Sequence, residues 1–410
     1  MKLNSRWPTV SLGEIVEETQ YGTGLKANDE ERGLPILRMN NITYDGAIDL
    51  NKVKHVEIPS EDIDQYSVRR GDLLFNRTNS QELVGKMGVW NRNDSFIFAG
   101  YLIRLRLKQE IADPSFVASW FNTRDMKTLI RARAKPSINM SNINATEVLR
   151  FPVVLPPLKE QRRIAAILDQ VEDLRAKRRH VLAKLDVLAR SLFLDLFGEK
   201  LTAPAIDTCR DRTKTPRRCS WVLLTDVAQL ATGHTPDRER GDYWNGDIPW
   251  ISLTDIRSLD GTEAASTLQN VTRLGIANSS AVLLPKGTVC FSRTASVGFV
   301  TVMGREMATS QDFMNWVCGP KLDPTYLMWA LILSRPRLLA LSSGSTHRTI
   351  YMRVVEQFRV LLPPIDVQRE FARRISALEK LKVTQCASLA KLDALFTSLQ
   401  HRAFRGELSL

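Results

Sequence analysis

The amino-acid sequence predicts an α+β protein in which two tandem domains of mixed α/β structure are separated by two long helices. Three observations predict this fold class. The sequence contains an internal repeat, so that its two halves are similar. Each half begins with short strand-like runs broken by turns and ends with about 40 residues of coiled-coil periodicity. Its 410 residues correspond to two to four domains at the usual size of about 100 to 200 residues each.

The repeat is clearest around two pairs of prolines. Residues 151–157 read Phe-Pro-Val-Val-Leu-Pro-Pro, and residues 358–364 read Phe-Arg-Val-Leu-Leu-Pro-Pro, 207 positions later. The same offset continues without a gap through the segment that follows, where Gln161 matches Gln368. One register over so many residues is the behaviour of a helix.

Before the prolines the offset between the two halves drifts. Residues 71–78 match 287–294 at an offset of 216, whereas 34–37 match 248–251 at an offset of 214. Loop lengths therefore vary in the first part of each half, which is typical of a loop-rich domain.

The segment after each proline pair has the period of a coiled-coil helix, with apolar residues at alternating steps of three and four. In the first helix, which we expect over 158–197, the predicted pairing residues are Ile164, Ile167, Val171, Leu174, Val181, Leu185, Leu188 and Leu192, with a gap at Arg178. In its copy they are Phe371, Leu378, Leu381, Leu392, Leu395 and Leu399.

A helix of this length is about 60 Å long at 1.5 Å per residue, and the simplest partner for its apolar stripe is the other copy. Proline is tolerated in the first turn of a helix, so the two proline pairs predict where the helices begin. The polar residues Arg178 and Gln385 occupy matching positions and would help to fix register and orientation. The alternative is that each helix belongs to an ordinary bundle.

Ahead of the helices, strand-like runs cover 71–76, 84–90 and 103–107 in the first half, and 287–292 and 297–302 in the second. Helical pieces follow at Pro114–Ala132 and Pro324–Ala340. Each half is therefore predicted to contain a mixed, largely antiparallel sheet. The predicted boundaries are 1–155 for the first domain, 156–198 for the first long helix, 199–218 for a linker, 219–361 for the second domain and 362–405 for the second long helix.

Composition favours a polyanionic partner. The chain has 57 Lys and Arg against 45 Asp and Glu, a net charge of +12, which suits phosphate contacts and counterion release. No run of apolar residues is long enough for a membrane span, and the first residues lack the apolar core of a signal peptide, so we expect a cytoplasmic protein. The five cysteines are scattered, which argues against a disulfide framework or a zinc site.

The motifs of several enzyme classes are absent from the sequence. Gly85-Lys86 is followed by Met87, so there is no phosphate-binding loop of the Gly-Lys-Ser/Thr type, and both proline pairs follow Leu rather than the Asn or Asp of an amino-methyltransferase. No Glu-x-Lys and no His-x-x-x-His occurs, which removes support for a metal-dependent nuclease or a zinc hydrolase. We therefore expect a binding scaffold with no catalytic residue and no metal ligand.

Motifs from both halves, taken in order, resemble the specificity subunits of type I restriction-modification systems over nearly the whole chain. In the first half they are residues 21–28, 34–42, 71–80 and 82–86; in the second they are 233–236, 243–251 and 344–346; the two proline-plus-helix segments complete them. One departure is Leu224-Thr225-Asp226-Val227, where the family usually has Leu-Gly-Asp/Glu, as in Leu12-Gly13-Glu14. It blurs only the boundary of the second domain.

The resemblance implies a non-catalytic subunit with two target recognition domains, which binds double-stranded DNA, two modification subunits and, in the full complex, restriction subunits. S-adenosylmethionine, ATP and Mg are expected on those partners and none of them on this chain. Because the two domains differ in sequence, each should read one half of an asymmetric, split target. The two helices, packed as an antiparallel coiled coil, would set the spacer, and deleting four residues from one helix should change it.

Candidate DNA contacts follow from residue type and position. Arg77 and Arg293 each follow a predicted strand and would reach phosphate or guanine edges; the alternative is a pair of salt-bridged strand ends. The cationic segment 131–139 and its counterpart 345–348 would clamp the backbone; the alternative is a solvated charged surface. The full set of predicted contacts is Tyr21, Lys26, Arg38, Arg77, Thr78, Asn79, Arg133, Lys135, Ser137, Asn139, Arg293, Thr294, Thr346, His347 and Arg348.

A rival function is that of a structural adaptor whose coiled coil recruits partners without touching DNA. It predicts interactions that are insensitive to salt and show no sequence preference. A fused nuclease-methylase would need the catalytic motifs that this chain lacks.

Overall fold

The computed structural model describes residues 6–137, 140–197, 206–207, 219–344 and 348–408, which form two compact units. Among these residues, unit 1 comprises those up to Arg179 and those from Ala387 onward, and unit 2 comprises those from His180 to Cys386. Of the predicted linker 199–218, only Ile206 and Asp207 are among the described residues. The α+β fold with two mixed domains and two long paired helices is confirmed.

Unit 1 consists of short strands, small helices and one end of each long helix. Its strands are β1 (Thr9–Ser11), β2 (Val16–Tyr21), β3 (Leu34–Leu37), β4 (Lys54–Val56), β5 (Leu73–Asn76), β6 (Thr78–Asn79), β7 (Met87–Val89), β8 (Ile97–Phe98), β9 (Leu102–Leu107), β10 (Lys135–Ser137), β11 (Met140–Asn142) and β12 (Pro152–Val154). Its helices are α1 (Leu12–Ile15), α2 (Ile63–Tyr66), α3 (Pro114–Phe121), α4 (Arg124–Arg133), α5 (Ala145–Leu149) and the start of α6 (Leu158–Phe197).

Unit 2 repeats this plan. Its strands are β13 (Ile206–Asp207), β14 (Ser220–Leu223), β15 (Ala228–Thr232), β16 (Trp244–Ile251), β17 (Glu263–Ala264), β18 (Gln269–Val271), β19 (Val289–Ser292), β20 (Val300–Met303), β21 (Ala308–Thr309), β22 (Phe313–Cys318) and β23 (Arg359–Leu362). Its helices are α7 (Leu253–Leu259), α8 (Arg273–Ala277), α9 (Pro324–Leu333), α10 (Arg335–Ala340), α11 (Met352–Val355) and the start of α12 (Ile365–Arg405).

The four strands of the main sheet in unit 1 correspond to the first four strands of the main sheet in unit 2, which has β17 as an additional edge strand. In unit 1 the order is β2-β9-β5-β7, entirely antiparallel, and in unit 2 it is β15-β22-β19-β20-β17. A smaller sheet in each unit contains one parallel pair, β3 with β8 and β16 with β21. Both units therefore place the carboxyl ends of two neighbouring parallel strands side by side, and the candidate site is built there.

Two helical segments are shorter than the sequence predicts. The expected helix over Pro114–Ala132 divides into α3 and α4 at Asn122 and Thr123, because the Thr123 side chain accepts a hydrogen bond from the Met126 N–H at 3.2 Å and starts a new helix. The segment Pro324–Ala340 also divides, at Ser334, but there the side chain does not cap the new helix; its hydroxyl accepts from the Ile206 N–H at 2.9 Å.

A buried glutamine fastens the first turn of each long helix to its domain. Gln161 is completely buried; its Oε1 accepts from the Asp113 N–H at 2.9 Å, and its Nε2 donates to two backbone carbonyls at 2.9 and 2.8 Å. Gln368, 207 residues later, is also completely buried and accepts from the Asp323 N–H at 2.9 Å. Since each amide leaves no polar atom unpaired, these bonds fix where the helix leaves the domain.

In unit 1, the beginning of α6 lies against the end of α12. Arg175 Nε is 2.6 Å from Asp393 Oδ1, and the same guanidinium carbon lies 4.6 Å from the ring centre of Phe396. Ile164 and Leu168 share one apolar core with Phe404. This is the antiparallel pairing that the repeat predicts.

In unit 2, the end of α6 lies against the beginning of α12. Lys382 Nζ is 2.9 Å from Asp186 Oδ1, and the rings of Phe193 and Phe371 meet edge to face with centroids 5.3 Å apart. Lys382 matches Arg175 at the repeat offset of 207, and Asp393 matches Asp186. The same ion pair therefore occurs once in each unit with the roles of the two helices exchanged.

The phase of the predicted pairing stripe is wrong at every second position. Leu174, Leu188, Leu381 and Leu395 are 47%, 50%, 43% and 46% exposed, and Ile167 is only half-buried. Predicted positions Ile164, Val171, Leu185 and Phe371 are buried, while Leu192, Leu378, Leu392 and Leu399 are half-buried.

The stripe that is buried steps four residues, not three, from each of these correct positions. It passes through the buried Leu168, Arg175 and Ala189 in α6, and through the buried Ile375 and the half-buried Lys382 in α12. Arg175 is only 8% exposed, because its guanidinium is paired with Asp393 and lies over the ring of Phe396. A basic residue in the stripe looks like a break in the apolar pattern, so the sequence pattern favours the neighbouring Leu174 or Leu381.

The corrected phase predicts a clear difference between two leucines of α6. Leu168 is 1% exposed, so Leu168→Ala should destabilise unit 1 by about 2 to 5 kcal/mol. Leu174→Ala, at a side chain that is 47% exposed, should cost less than about 1 kcal/mol. Urea unfolding of both variants measures this, and equal losses would show that the assigned stripe is not the buried one.

Candidate nucleic-acid interface

Arg77 and Arg293 occupy the same place in the two units, at the end of a central strand. The Arg77 N–H donates to the Tyr101 carbonyl at 3.0 Å, and the Arg293 N–H donates to the Asp312 carbonyl at 2.9 Å. Each arginine carbonyl in turn accepts a backbone bond, from Ile143 at 3.0 Å and from Ile350 at 2.9 Å. The two halves of the chain thus build one framework from equivalent backbone bonds.

Both guanidinium groups point to a neighbouring turn. Arg77 Nη1 donates to the Gly100 carbonyl at 3.3 Å, and Arg293 Nε and Nη2 donate to the Gln311 carbonyl at 3.3 and 3.2 Å. Arg77 also lies 4.9 Å from the ring centre of Tyr21. Within the described residues neither arginine forms an ion pair, so the salt-bridged strand end is not what the structure shows.

A strand pair beside each arginine contains other residues that the sequence predicts to contact DNA. In unit 1, β6, β11 and β10 form a small sheet in which Asn142 pairs with both Thr78 and Lys135. In unit 2, Thr349 forms bridges with both Thr294 and Ser343.

Several predicted contacts therefore do lie together. Lys135 is exposed, Thr78 is half-buried with its hydroxyl 3.3 Å from Asn142 Oδ1, and the Arg348 carbonyl accepts from the Ala295 N–H at 3.1 Å. Asn139, Thr346 and His347 lie outside the described residues, and of Ser137 only the backbone is described.

Three predicted contacts are engaged inside unit 1. Asn79 is 8% exposed, and its amide donates to Asn76 at 2.8 Å, so it supports the strand end from within. Arg133 Nη1 is 2.9 Å from Glu147 Oε1, at a cleft that Lys135 also lines. The Tyr21 hydroxyl accepts from the Ala145 N–H at 2.8 Å.

Arg38 and Lys26 lie on loops that border the same turn. The Ala99 N–H donates to the Leu37 carbonyl at 2.9 Å, which sets the half-buried Arg38 beside residues 99–101. The loop that carries the exposed Lys26 begins at Thr23, which forms a parallel bridge with Ala99. The loops that carry Lys26 and Arg38 thus border the same turn to which Arg77 donates, although the three residues lie in separate segments of the sequence.

A glycine in each unit allows the chain to approach this turn closely. A Cβ atom on Gly22 would lie 2.3 Å from the Ala99 carbonyl oxygen, and one on Gly233 would lie 2.1 Å from the Ser310 carbonyl oxygen. Any side chain would displace the backbone there. These glycines belong to two of the motifs that carry the family resemblance, and their role is to support the turns at residues 99–101 and 310–312.

Two buried lysines hold the loop that follows Arg38. Lys86 Nζ donates to the Met39 carbonyl at 2.8 Å, which joins the motif at 82–86 to the motif at 34–42. Lys127 is 5% exposed; its ammonium donates to the Tyr44 carbonyl and lies 3.6 Å from the centre of the Tyr44 ring. Burial lowers the pKa of Lys127 to about 8.

Sequence reasoning missed the turn itself. Tyr101 is 43% exposed, Gln311 is exposed, and both lie between the framework bonds described above. Each follows a short two-residue strand that periodicity cannot detect. The only signal for them is the repeat, since Gly22 and Gly233 mark equivalent close approaches.

The described residues contain neither a metal site nor a membrane-spanning helix. In the part of the chain that the structure covers, no three His, Cys, Asp or Glu side chains are grouped as metal ligands. No helix there is long and apolar enough to cross a membrane.

Comparison with known proteins identifies the class. The sequence model of the type I restriction modification DNA specificity domain matches residues 4–185 and 220–392, one match in each half. The chain therefore belongs to the type I restriction modification DNA specificity family. The two matches cover most of both units and extend into each long helix, ending at residue 185 of α6 and residue 392 of α12.

Individual relatives agree with this assignment. The chain is 24% identical over 380 residues to a putative type I restriction enzyme MjaX specificity subunit of Methanocaldococcus jannaschii, which covers 92% of this chain and 87% of that protein. It is 25% identical over 173 residues to the type I restriction enzyme MjaIX specificity subunit of the same organism, 42% of this chain and 40% of that protein.

Solved structures share the fold. The S subunit of a type I restriction-modification system from M. genitalium matches with a TM-score of 0.61 at 12% identity, covering 98% of this chain and 96% of that one. A chain from a structure of the type I R-M system matches with a TM-score of 0.55 at 18% identity, covering 98% of each.

The buried Lys127 makes the stability of unit 1 depend on pH. Because its pKa is about 8 in the folded chain and 10.5 ordinarily, the unfolded chain binds more protons between these values. The stability of the wild type relative to Lys127→Met should therefore rise from pH 8 to pH 10, by at most about 1.4 kcal/mol per pH unit.

Urea unfolding across this pH range is the measurement. Lys177→Met, at an exposed lysine of α6, is the control and should differ from the wild type by a constant amount. A Lys127→Met difference that is equally constant would contradict the assigned environment of Lys127.

Proposed function

We propose that the chain is the DNA sequence-specificity subunit of a type I restriction-modification complex, and that each unit reads one half of an asymmetric, split target. The observation that carries this is the equivalent framework around Arg77 and Arg293, which presents different exposed residues at the same place in the two units. Two readers on one framework suit two unlike half-sites, much as paired half-sites suit dimeric DNA-binding proteins.

The proposal gives the chain no catalytic role. Adenine methylation, ATP-driven translocation and cleavage belong to two modification subunits and to the restriction subunits, which carry S-adenosylmethionine, ATP and Mg. The helix pair is proposed as their docking surface. The exposed Leu174, Leu188, Leu381 and Leu395, which the helix pairing does not use, leave apolar side chains that such partners could cover.

Positive charge supports contact with the DNA backbone. The exposed Lys26 lies on a loop that borders the turn at 99–101, the exposed Lys135 lies on the hairpin next to Thr78, and the chain has a net charge of +12. Phosphate contacts release counterions, so affinity should fall with salt concentration in proportion to their number. We assign these two lysines to the phosphates and not to the bases.

A gel-shift titration with the modification subunit present tests DNA binding. From about 50 to about 200 mM salt, the affinity for duplex DNA should fall about 100-fold if four or more phosphates are contacted. Lys26→Gln combined with Lys135→Gln should reduce the slope by about two contacts, whereas Lys177→Gln on the exposed face of α6 should leave it unchanged.

The competing function is a coiled-coil adaptor that does not touch DNA. It predicts that partner binding persists and that no duplex is retained at either salt concentration. That result would remove the proposed function and leave the fold and the family assignment in place.

The spacer between the half-sites should follow the length of the helix pair. Deleting seven residues at matching places, 178–184 of α6 and 385–391 of α12, keeps the phase of the buried stripe and removes about 10 Å at 1.5 Å per residue. We expect the spacer to shorten by two or three base pairs, at about 3.4 Å each, with both half-sites retained.

Mapping methylated adenines in a host that expresses each variant with its modification subunit gives the spacer directly. Duplicating the same two segments is the matched control and should lengthen the spacer by a similar amount. A spacer that stays constant in both variants would exclude the helices as the ruler.

A further inference from the structure

We propose that base choice is made at the turn beside each framework arginine, by Tyr101 in unit 1 and Gln311 in unit 2, and that Arg77 and Arg293 position these turns and do not read bases. This inference rests on the proposed function and names the specificity-determining residues of the same site.

The first step is that the arginines are identical in the two units. Each backbone N–H donates to the carbonyl of the third residue of its turn, Tyr101 or Asp312. Each guanidinium donates to the carbonyl of the middle residue, Gly100 or Gln311. If the half-sites differ, the same residue type held by equivalent backbone bonds and turned toward the same turn carbonyl is a poor source of the difference. Guanidinium donors that already serve carbonyl oxygens are also less free to pair with a guanine edge.

The second step is that the turns are supported in the same way. The Ala99 N–H donates to the Leu37 carbonyl at 2.9 Å, and the Ser310 N–H donates to the Ile251 carbonyl at 3.0 Å. Together with the close approach of Gly22 or Gly233, this fixes the turn between two segments of the same unit. A side chain on the turn is therefore presented from a rigid backbone, as discrimination between bases requires.

The third step is that the side chains on the two turns differ. Unit 1 has Gly100 and Tyr101, whereas unit 2 has Gln311 and Asp312. The side chain of Tyr101 is 43% exposed, and its hydroxyl forms no hydrogen bond to any described residue. Asp312 is tied into its turn, since its Oδ2 accepts from the buried Ser310 hydroxyl at 2.9 Å, which leaves Gln311 as the exposed reader.

Gln311 is oriented for this role. Its Oε1 accepts from the Thr235 hydroxyl at 2.5 Å, while its amide NH₂ donates to none of the described residues. A glutamine with a free donor and a remaining acceptor lone pair matches the N7 and N6 edge of adenine in the major groove. The aromatic ring of Tyr101 offers instead an apolar surface of the kind that contacts the thymine methyl group.

The cationic residues around the turn fit this division of labour. Lys26 and Arg38 lie on loops next to residues 99–101, and Lys135 lies on the neighbouring hairpin. Lysine and arginine at the rim secure the backbone, and the turn between them faces the groove. Unit 1 thus offers one uncharged reader surrounded by phosphate-binding groups.

The test is the methylation motif of a host that expresses the full chain with its modification subunit, read by mapping N6-methyladenine over the genome. Gln311→Ala should make one base of the unit 2 half-site degenerate, with discrimination falling about 5- to 150-fold, and leave the other half-site intact. Tyr101→Ala should do the reverse, so each variant is the control for the other. Gln229→Ala, at an exposed glutamine of β15, should leave the motif unchanged.

A second variant separates reading from loss of structure. Gln311→Glu keeps the shape but removes the amide donors, so the preferred base at the same position should change toward one that donates, such as cytosine. If both Gln311 variants and the Tyr101 variant retain the wild-type motif and its discrimination, the turn does not choose bases. A wild-type complex that methylates no specific sequence would instead overturn the proposed function itself.

A double-variant comparison tests the positioning role of Arg293. Arg293→Ala should lose discrimination at the same base as Gln311→Ala, and combining the two should cost no more than Gln311→Ala alone, because the arginine acts through the turn. Arg293→Lys, which retains a donor for the Gln311 carbonyl, should restore part of the loss. An additional loss at a different base in the double variant would show that Arg293 reads DNA directly and would overturn this assignment.

Discussion

The antiparallel pairing of α6 and α12 is the interaction on which the rest of the structure depends. Each helix starts in one unit and ends in the other, so neither unit has a complete core without the far end of the partner helix. The register is set near the middle of the helices by two equivalent ion pairs, Arg175 with Asp393 and Lys382 with Asp186. The buried charge of Arg175 tolerates no slip, because moving it by one turn would separate it from Asp393 on the other helix.

Duplication explains why the same framework occurs in both units. The bonds of Gln161 and Gln368, and the backbone bonds of Arg77 and Arg293, are kept in both halves because they fix geometry that both halves need. The side chains at the turns are under no such constraint, since their backbones are supported by neighbouring strands. A protein built this way can change the side chains of its turns without changing how its domains fold.

Much of the fold follows from the sequence, because a repeat with a constant offset predicts helices and a drifting offset predicts loops. The start of each long helix, the mixed sheets and the equivalence of Arg77 and Arg293 were all predicted on this basis. The predicted phase of the pairing stripe is wrong because the buried Arg175 and the half-buried Lys382 resemble interruptions of the apolar pattern, and their place in the stripe is explained by their partners Asp393 and Asp186. Tyr101 and Gln311 were missed because two-residue strands have no period, and because the segments that support them are distant in sequence.

The coupling between Arg175 and Asp393 tests the central claim most directly. Urea unfolding of Arg175→Ala, Asp393→Ala and the double variant gives the interaction energy free of the separate effects of each side chain. If this pair fixes the register of the two helices, the coupling should favour the wild-type pair by about 0.5 to 3 kcal/mol. Losses that simply add, within about 0.3 kcal/mol, would mean that the two residues are neighbours without being partners, and that something else aligns the helices.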